Sequence, residues 1–405
     1  MDADVVVIGA GAAGLMAAST AARRDRRVAL LEKNARAGLK ILISGGGRCN
    51  LTTTRSGRDL EAQYGDRRGR WLRHALRAFQ PAQLVALIES LGVPLQEEDL
   101  DKIFPVSGRA ADVLEALLRD ARDAGVELML ESPMRAVSRQ GESFVVETVE
   151  RGWRATSVVV ATGGVSYPKT GATGDGYAIA RAFGHTVIDP VPALAPLALD
   201  GHWLCALQGL VLDARLVLLD RDGRKLVERR RPTLITHKGL SGPGPMDVSG
   251  FVEERGGGCT LVCDLAPDVS AEDVESALIE GSREAGRRQV QHCLPASIPE
   301  RLRIALCAAA GVAGVVAAEL RRESRRELVA LVKRLHIPVE RSLGFGAAEV
   351  TRGGVALDEV DPRTMQSRLC PGLYFCGEVL DIDGPIGGFN FQAAFATGRL
   401  AGLSA

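Results

Sequence analysis

The stretch Asp4-Val5-Val6-Val7-Ile8-Gly9-Ala10-Gly11-Ala12-Ala13-Gly14 decides the fold of this 405-residue chain. Its apolar run is long enough for one buried strand, and residues 15–22 are helix formers. Val28-Ala29-Leu30-Leu31 reads as the next strand, with Glu32 at its end. Strand, glycine turn, helix, strand and acid follow in the order of a Rossmann dinucleotide-binding unit. In that pattern Gly9 makes the tight turn, Gly11 admits a pyrophosphate to the backbone, and Gly14 lets helix and strand pack closely. The helix N-terminus turns free N–H groups and the positive end of its dipole toward the phosphates. Glu32 is placed to accept hydrogen bonds from ribose hydroxyls.

A content of 46% hydrophobic and 25% charged residues is that of a soluble globular protein, and the length predicts two or three domains. The formal net charge of zero gives no overall attraction to nucleic acid or membrane. Base is concentrated in 43 Arg, against seven Lys. Arg clusters stand at Arg23, Arg24, Arg26 and Arg27, at Arg67, Arg68, Arg70, Arg73 and Arg77, at residues 229–231, and at Arg321, Arg322, Arg325 and Arg326. They are either solvated faces or a phosphate-contacting surface. The eight Cys show no paired ligand spacing, so no metal is expected and a reduced intracellular protein is. The start, Met1-Asp2-Ala3-Asp4, lacks the basic region of a signal peptide. The apolar residues 304–318 are too few to span a membrane and read as a buried helix. The expected location is the cytoplasm, with no membrane partner.

Beyond Glu32 the chain runs through Lys33 and Lys40 to Ser44-Gly45-Gly46-Gly47-Arg48-Cys49-Asn50. Three glycines there predict backbone brought close to something flat or charged. Helical periodicity covers residues 72–91 and 112–124, and residues 126–130, 144–149 and 153–160 read as strands. The last runs into Ala161-Thr162-Gly163-Gly164, and residues 177–183 form a helix behind a small-residue start. That start lacks the GxGxxG spacing, so no stable second nucleotide domain is indicated. Pro190, Pro192 and Pro196 mark a boundary. Residues 207–212, 214–219, 233–236 and 260–263 then read as short strands, and residues 270–326 as helical with breaks at Pro295 and Pro299. The chain closes on a strand ending in Gly377-Glu378, then Asp381, Gly387-Gly388 and a helix over residues 389–403. The expected class is α/β: a Rossmann-like domain at 1–193 and 346–405 with an inserted domain at 194–345. That insert divides into a β-rich part (194–269), a helical part (270–326) and a return (327–345).

These motifs resemble the BaiN/RdsA-type flavoproteins, a branch of the glutathione-reductase-like FAD fold, over essentially the whole length. The resemblance rests on the glycine turn, residues 40–50, Ala161-Thr162-Gly163-Gly164, Thr236-His237 with residues 239–243, residues 348–351 with Gly353-Gly354-Val355, and residues 377–381 with Gly387-Gly388-Phe389-Asn390. It implies bound FAD, with Ala13 and Glu32 at the adenosine end and Met134 touching the adenine through its backbone. Lys40 would lie near the phosphates or ribityl chain, Glu378 would hold ribityl hydroxyls, and Gly387 to Asn390 would cover the flavin ring. Lys33, Gly45, Gly46, Arg48, Asn50, Thr162, Gly163, Gly377 and Asp381 complete the cofactor candidates. The chain departs from the family pattern at Leu39, Thr53 and Lys238.

The flavin would carry the redox step while the protein supplies position and electrostatics. Arg48, Cys49 and His237 are the candidates for the substrate side. Arg48 is either an anion or carbonyl ligand or half of an ion pair. Cys49 is either a proton donor or a small buried residue. His237 is either a proton donor or a loop anchor. Family members are associated with aminoacetone oxidation, bile-acid ring reduction and dihydrouridine formation in ribosomal RNA. The first expectation is reduction of a C=C bond, uridine to dihydrouridine in 23S ribosomal RNA, with that RNA or its precursor as partner and NAD(P)H as a transient electron donor. The alternatives are an oxidase or reductase of a small molecule, such as an amine or steroid-like ketone, and a non-catalytic flavin- or RNA-binding protein.

Overall fold

The computed structural model describes residues 2–284 and 288–405. The chain divides into two compact units, Met1–Val191 with Glu349–Ala405, and Pro192–Ala348.

The first unit is built on a parallel sheet in the order Leu373–Phe375, Ser157–Val160, Val5–Ile8, Val28–Leu31, Glu127–Met129. The first four strands are buried at every residue, as a parallel sheet covered on both faces requires, which is why they read as unbroken apolar runs. The expected strand over residues 153–160 is in fact two. Gly152–Ala155 alternates exposed and buried in an antiparallel sheet with Met134–Gln140 and Ser143–Thr148, whereas Ser157–Val160 joins the parallel sheet. The chain changes sheets at Thr156, whose hydroxyl donates to the Asp4 carbonyl at 2.9 Å. The expected helix over residues 72–91 is likewise two, Gly65–Ala78 and Pro81–Ser90. Pro81 has no N–H to give, and it drives Gln80 to an extended ψ of 159°.

The helix Ala12–Ala22 lies along the final helix, Phe389–Ser404, at unusually short range. A Cβ on Gly398 would stand 2.3 Å from the Ala13 carbonyl oxygen, and one on Gly402 would stand 2.3 Å from that of Ala17. Contacts that advance together along both chains mean parallel helices. The final helix therefore starts eight residues, about 12 Å, ahead of the first.

The second unit carries an antiparallel sheet in the order Leu197–Ala198, Gly239–Ser241, Lys225–Thr236, Val211–Leu219, Cys259–Asp264, Leu335–Val339. The two strands expected at 207–212 and 214–219 are one, Val211–Leu219, whose one-sided burial runs through Asp213; residues Trp203–Leu207 form a 3-10 turn. The strand Leu335–Val339 was not foreseen. The helices of this unit are Pro243–Glu254, Ala271–Glu284, Glu300–Ala309 and Arg322–Lys333. Residues 285–287, inside the expected helical part, lie outside the described residues. The buried helix expected over 304–318 stops at Ala309, and Gly311 and Gly314 take φ of +69° and +71° in the turns beyond it. Among the described residues no helix is long and apolar enough to cross a membrane.

Gly398→Ala is expected to lower the stability of the protein by about 1–3 kcal/mol, because its methyl meets backbone that cannot step aside. Gly11→Ala, where an added Cβ meets nothing within 4 Å, is expected to change it by less than about 0.5 kcal/mol. Urea unfolding of both variants checks this, and equal midpoints would contradict the close-packing account.

Candidate functional site

The opening turn separates the three glycines by task. Gly9 sits at φ +102°, and a Cβ on Gly14 would lie 1.8 Å from the Gly9 carbonyl oxygen. Gly11 caps the helix Ala12–Ala22 but faces open space. No side chain caps that helix, and no acid stands in its first turn, so its dipole end is unopposed by any side chain of its own. Glu32 is buried below the turn and ties it together. Its Oε2 accepts the Ala10 N–H at 3.0 Å, and its Oε1 accepts from the Asn34 backbone and amide at 2.9 and 2.7 Å. Lys33 turns to Asp175 and Thr173, at 2.7 and 2.5 Å. Ala13 is packed at the helix contact, its methyl 2.8 Å from where a Cβ of Gly377 would stand. Met134 is half-buried at the start of its strand and pairs with Thr148.

Next to Gly377, Glu378 organises a polar node. Its Oε2 accepts from Lys40 Nζ at 2.6 Å; its Oε1 accepts from the Thr351 N–H at 2.8 Å and the Ser166 hydroxyl at 2.9 Å. Ser166 also accepts from Lys40 at 2.6 Å. A Cβ on Gly164 would stand 2.3 Å from Thr351 Oγ1 and 2.9 Å from Glu378 Oε1, so backbone must fit tightly over this node. Two hydroxyls nearby, Thr162 Oγ1 and Tyr177 Oη, are buried without a hydrogen-bond partner. Burial, and after it the charges of Glu378 and Asp381, push the Tyr177 phenol above its ordinary range. Gly163, at φ +73°, faces open space. Ser166, Thr351 and Tyr177 escaped the sequence reading; each is an ordinary residue made special by distant partners.

The Ser44–Asn50 segment is a kinked helix end. Ser44 is extended at ψ 148°, and Gly45, Gly46, Gly47 and Cys49 take φ of +55°, +69°, +84° and +62°. Such backbone in a non-glycine residue is a mark of stored strain. Asn50 Oδ1 is buried and unpartnered. Arg48 lies with its guanidinium 4.4 Å from the centre of the Phe104 ring and is paired in two-pronged fashion with Glu98. Cys49 is buried, and burial lifts its thiol to about 12, so it stays protonated at neutral pH. His237 stands exposed in the second unit, on the turn between Lys225–Thr236 and Gly239–Ser241.

The closing loop ends at a second uncapped helix start. Gly388, at φ +83°, precedes Phe389–Ser404, which has no capping side chain and no acid in its first turn. A Cβ on Gly388 would lie 2.3 Å from the Thr52 carbonyl oxygen, so glycine is demanded there by the chain's own backbone. A Cβ on Gly387 would meet the Phe389 ring at 2.8 Å. The Phe389 ring is buried edge-on against Tyr64, and both ends of the Asn390 amide bond the Gly384 backbone at 2.9 Å. These side chains, expected over a ring, shape the loop itself. Asp381 is buried and held by Arg68 at 2.6 Å.

Each Arg cluster is matched in part with acid. Arg23 pairs with Asp120, Arg27 with Asp4, Arg73 and Arg77 with Glu61, Arg230 with Asp213 and Asp268, Arg231 with Asp247, and Arg325 with Glu275.

Residues 3–404 match the HI0933-like protein Rossmann domain family. A "Ribosomal RNA dihydrouridine synthase" of Escherichia coli (strain K12) is 31% identical over 97% of this chain and 96% of its own length. A "3-dehydro-bile acid delta(4,6)-reductase" of Clostridium scindens is 32% identical over 98% of both. Among solved structures, an E. coli quinol fumarate reductase FrdA covers 99% of this chain with 69% of its own, at a TM-score of 0.52 and 18% identity, a likeness of fold.

The Cys49 thiol carries a pH prediction. Its folded value, about 12, lies above the ordinary 9.0, so its contribution to stability is full below pH 9 and is lost as pH rises from 9 toward 12. The unfolded chain ionises there and the folded one does not. Cys49→Ala is expected to flatten that alkaline loss in urea unfolding between pH 8 and 10.5, and an unchanged slope would contradict the burial account.

Proposed function

Because the chain belongs to the HI0933-like Rossmann family, we propose that it is an FAD-dependent oxidoreductase that reduces a carbon–carbon double bond. The observation that carries this is the pair of uncapped, acid-free helix starts at Gly11 and Gly388, offset by about 12 Å on parallel helices. Two such starts suit a ligand with an anionic middle and an electron-accepting end. Residues of the same unit fit FAD: open backbone at Gly11, Gly46 and Gly163, and buried polar atoms without partners at Asn50, Thr162 and Tyr177. FAD, when bound, supplies two-electron chemistry to an activated double bond.

The protein's own residues would divide the remaining work. The Ala12–Ala22 start would receive the diphosphate, and Glu32, fixed by Ala10 and Asn34, keeps an accepting position on Oε2 for a ribose hydroxyl. Glu378 and Lys40 hold the sugar-alcohol chain, their charges balanced against each other. The Phe389–Ser404 start places positive potential where the reduced ring gathers negative charge. Cys49 is a closed, protonated thiol, which favours its packing role over proton transfer. Arg48 spends two of its five N–H donors on Glu98 and is 42% exposed, so it keeps donors for a substrate oxygen while paired.

For substrate, we take a uridine of 23S ribosomal RNA first, since the E. coli relative is named for that class and is matched end to end. NAD(P)H is the proposed transient donor. The pairing of the Arg clusters with acids favours the second reading, a small unsaturated molecule such as a steroid-like enone. Mass spectrometry of ribosomal RNA nucleosides from cells with and without the gene separates them. Loss of dihydrouridine on deletion is the expected result. Unchanged dihydrouridine, with anaerobic reoxidation of the reduced protein by an enone, would overturn the RNA reading in favour of the second.

A further inference from the structure

Four charged side chains of the first unit form a buried ladder. Arg68, on the helix Gly65–Ala78, donates from Nη2 to Asp381 Oδ1 at 2.6 Å and from Nε to the Asp381 carbonyl oxygen at 3.1 Å. Its Nη1 stands 3.5 Å from Asp383 Oδ1. Asp383 is gripped again by Arg352, Nη2 to Oδ2 at 2.9 Å and Nε to both oxygens at 3.1 Å. Arg352 and both aspartates are buried, and the Arg68 side chain is 18% exposed. Arg67, the neighbouring residue on the same helix, adds a third and more exposed cation, its Nη1 3.6 Å from Asp381 Oδ2. Without Arg68, buried Asp381 loses its closest partner and keeps only the longer contact to exposed Arg67, and burying a charge so poorly paired is costly.

What sets this network apart is the segment it holds. Residues 381–388 have no regular secondary structure, and they lead directly into the helix Phe389–Ser404. Arg68 binds the main chain at the loop's first residue as well as the side chain. The far end is pinned from the same helix: Tyr64, the residue just before Gly65–Ala78, donates its hydroxyl to the Phe389 carbonyl at 2.7 Å. Beside the Asp381 N–H bond to the Val355 carbonyl at 3.1 Å and the Asn390 amide on Gly384, this irregular loop is held by Arg68, Tyr64 and Arg352. General fold stability needs no such concentration of buried charge on one irregular stretch; a hydrophobic cluster serves it better.

We infer that Arg68 is a positioning residue: acting through Asp381 and Asp383, it fixes the 381–388 loop so that the Phe389–Ser404 helix presents its N-terminus to the flavin ring. The inference rests on the FAD reading above. Arg68 acts on the loop through Asp381 and Asp383, so its loss should loosen the ring end while the adenosine end stays as it was.

Hydrogen exchange on the apo-protein and FAD titration, run on wild type, Arg68→Gln, Arg68→Lys and Arg73→Gln, test it. Arg73 lies on the same helix and pairs with Glu61 at 2.8 Å, so it reports on the helix alone. Arg68→Gln is expected to speed exchange at amides 381–389, to leave residues 9–22 at the wild-type rate, and to weaken FAD binding about tenfold. Arg68→Lys should recover part of both effects, and Arg73→Gln should show neither. Unchanged exchange in Arg68→Gln, a rise spread evenly over the unit, or a loosened loop with wild-type FAD affinity would each overturn the inference. A wild-type protein that binds no FAD overturns the flavin reading instead, and the exchange data, taken without cofactor, keep the two failures apart.

Discussion

The backbone-to-backbone approach of Gly398 and Gly402 to Ala13 and Ala17 is the constraint on which the first unit depends. Two helices from opposite ends of the chain meet with almost no side chain between them. Parallel helices set their dipoles side by side, which is unfavourable on its own, so close dispersion contact must outweigh it. The arrangement brings two positive helix ends to one unit with no acid in the first turn of either. It also sets Gly377 on Ala13, which places Glu378 within reach of Lys40 and Ser166. A side chain larger than a hydrogen at Gly398 would push apart the two regions that make the site.

Charge follows the same economy of place. A net charge of zero with 43 arginines means that acids must find them, and most exposed clusters are laced with carboxylates. Surface pairs of this sort contribute little to stability and mainly cancel local potential. The pairs inside the first unit differ. Lys40 with Glu378, and Arg68 and Arg352 with Asp381 and Asp383, are partly or fully removed from water, where a lost partner is expensive. They fix irregular backbone that no strand or helix would hold.

The sequence disclosed what is local. Gly14 is demanded by the Gly9 carbonyl five residues before it and Gly9 by its own φ of +102°, though Ala161 also crowds Gly9, and fully buried strands declare themselves as Val5–Ile8 and Val28–Leu31 do. It disclosed less where apolar periodicity ran across a break: Pro81 divides one expected helix, and Gly311 and Gly314 end another early. The strand Leu335–Val339 alternates buried and exposed in five residues, too short a run to stand out beside helical neighbours. Long-range partners left no trace. Nothing in the order of residues says that Thr351 serves Glu378, or that Arg68 in an Arg-rich helix holds Asp381 while Arg73 beside it does not. The family motif points to Phe389 and Asn390 as flavin contacts, and it gives no sign that their side chains also meet Tyr64 and Gly384.

The central claim is that the opening turn and the closing loop serve one cofactor. The visible spectrum of the purified, folded protein, with the released flavin identified and counted, tests it most directly. The account predicts a yellow protein carrying one FAD per chain, or an apo form that takes up one FAD when offered it. A folded chain that stays colourless and binds no FAD would contradict it.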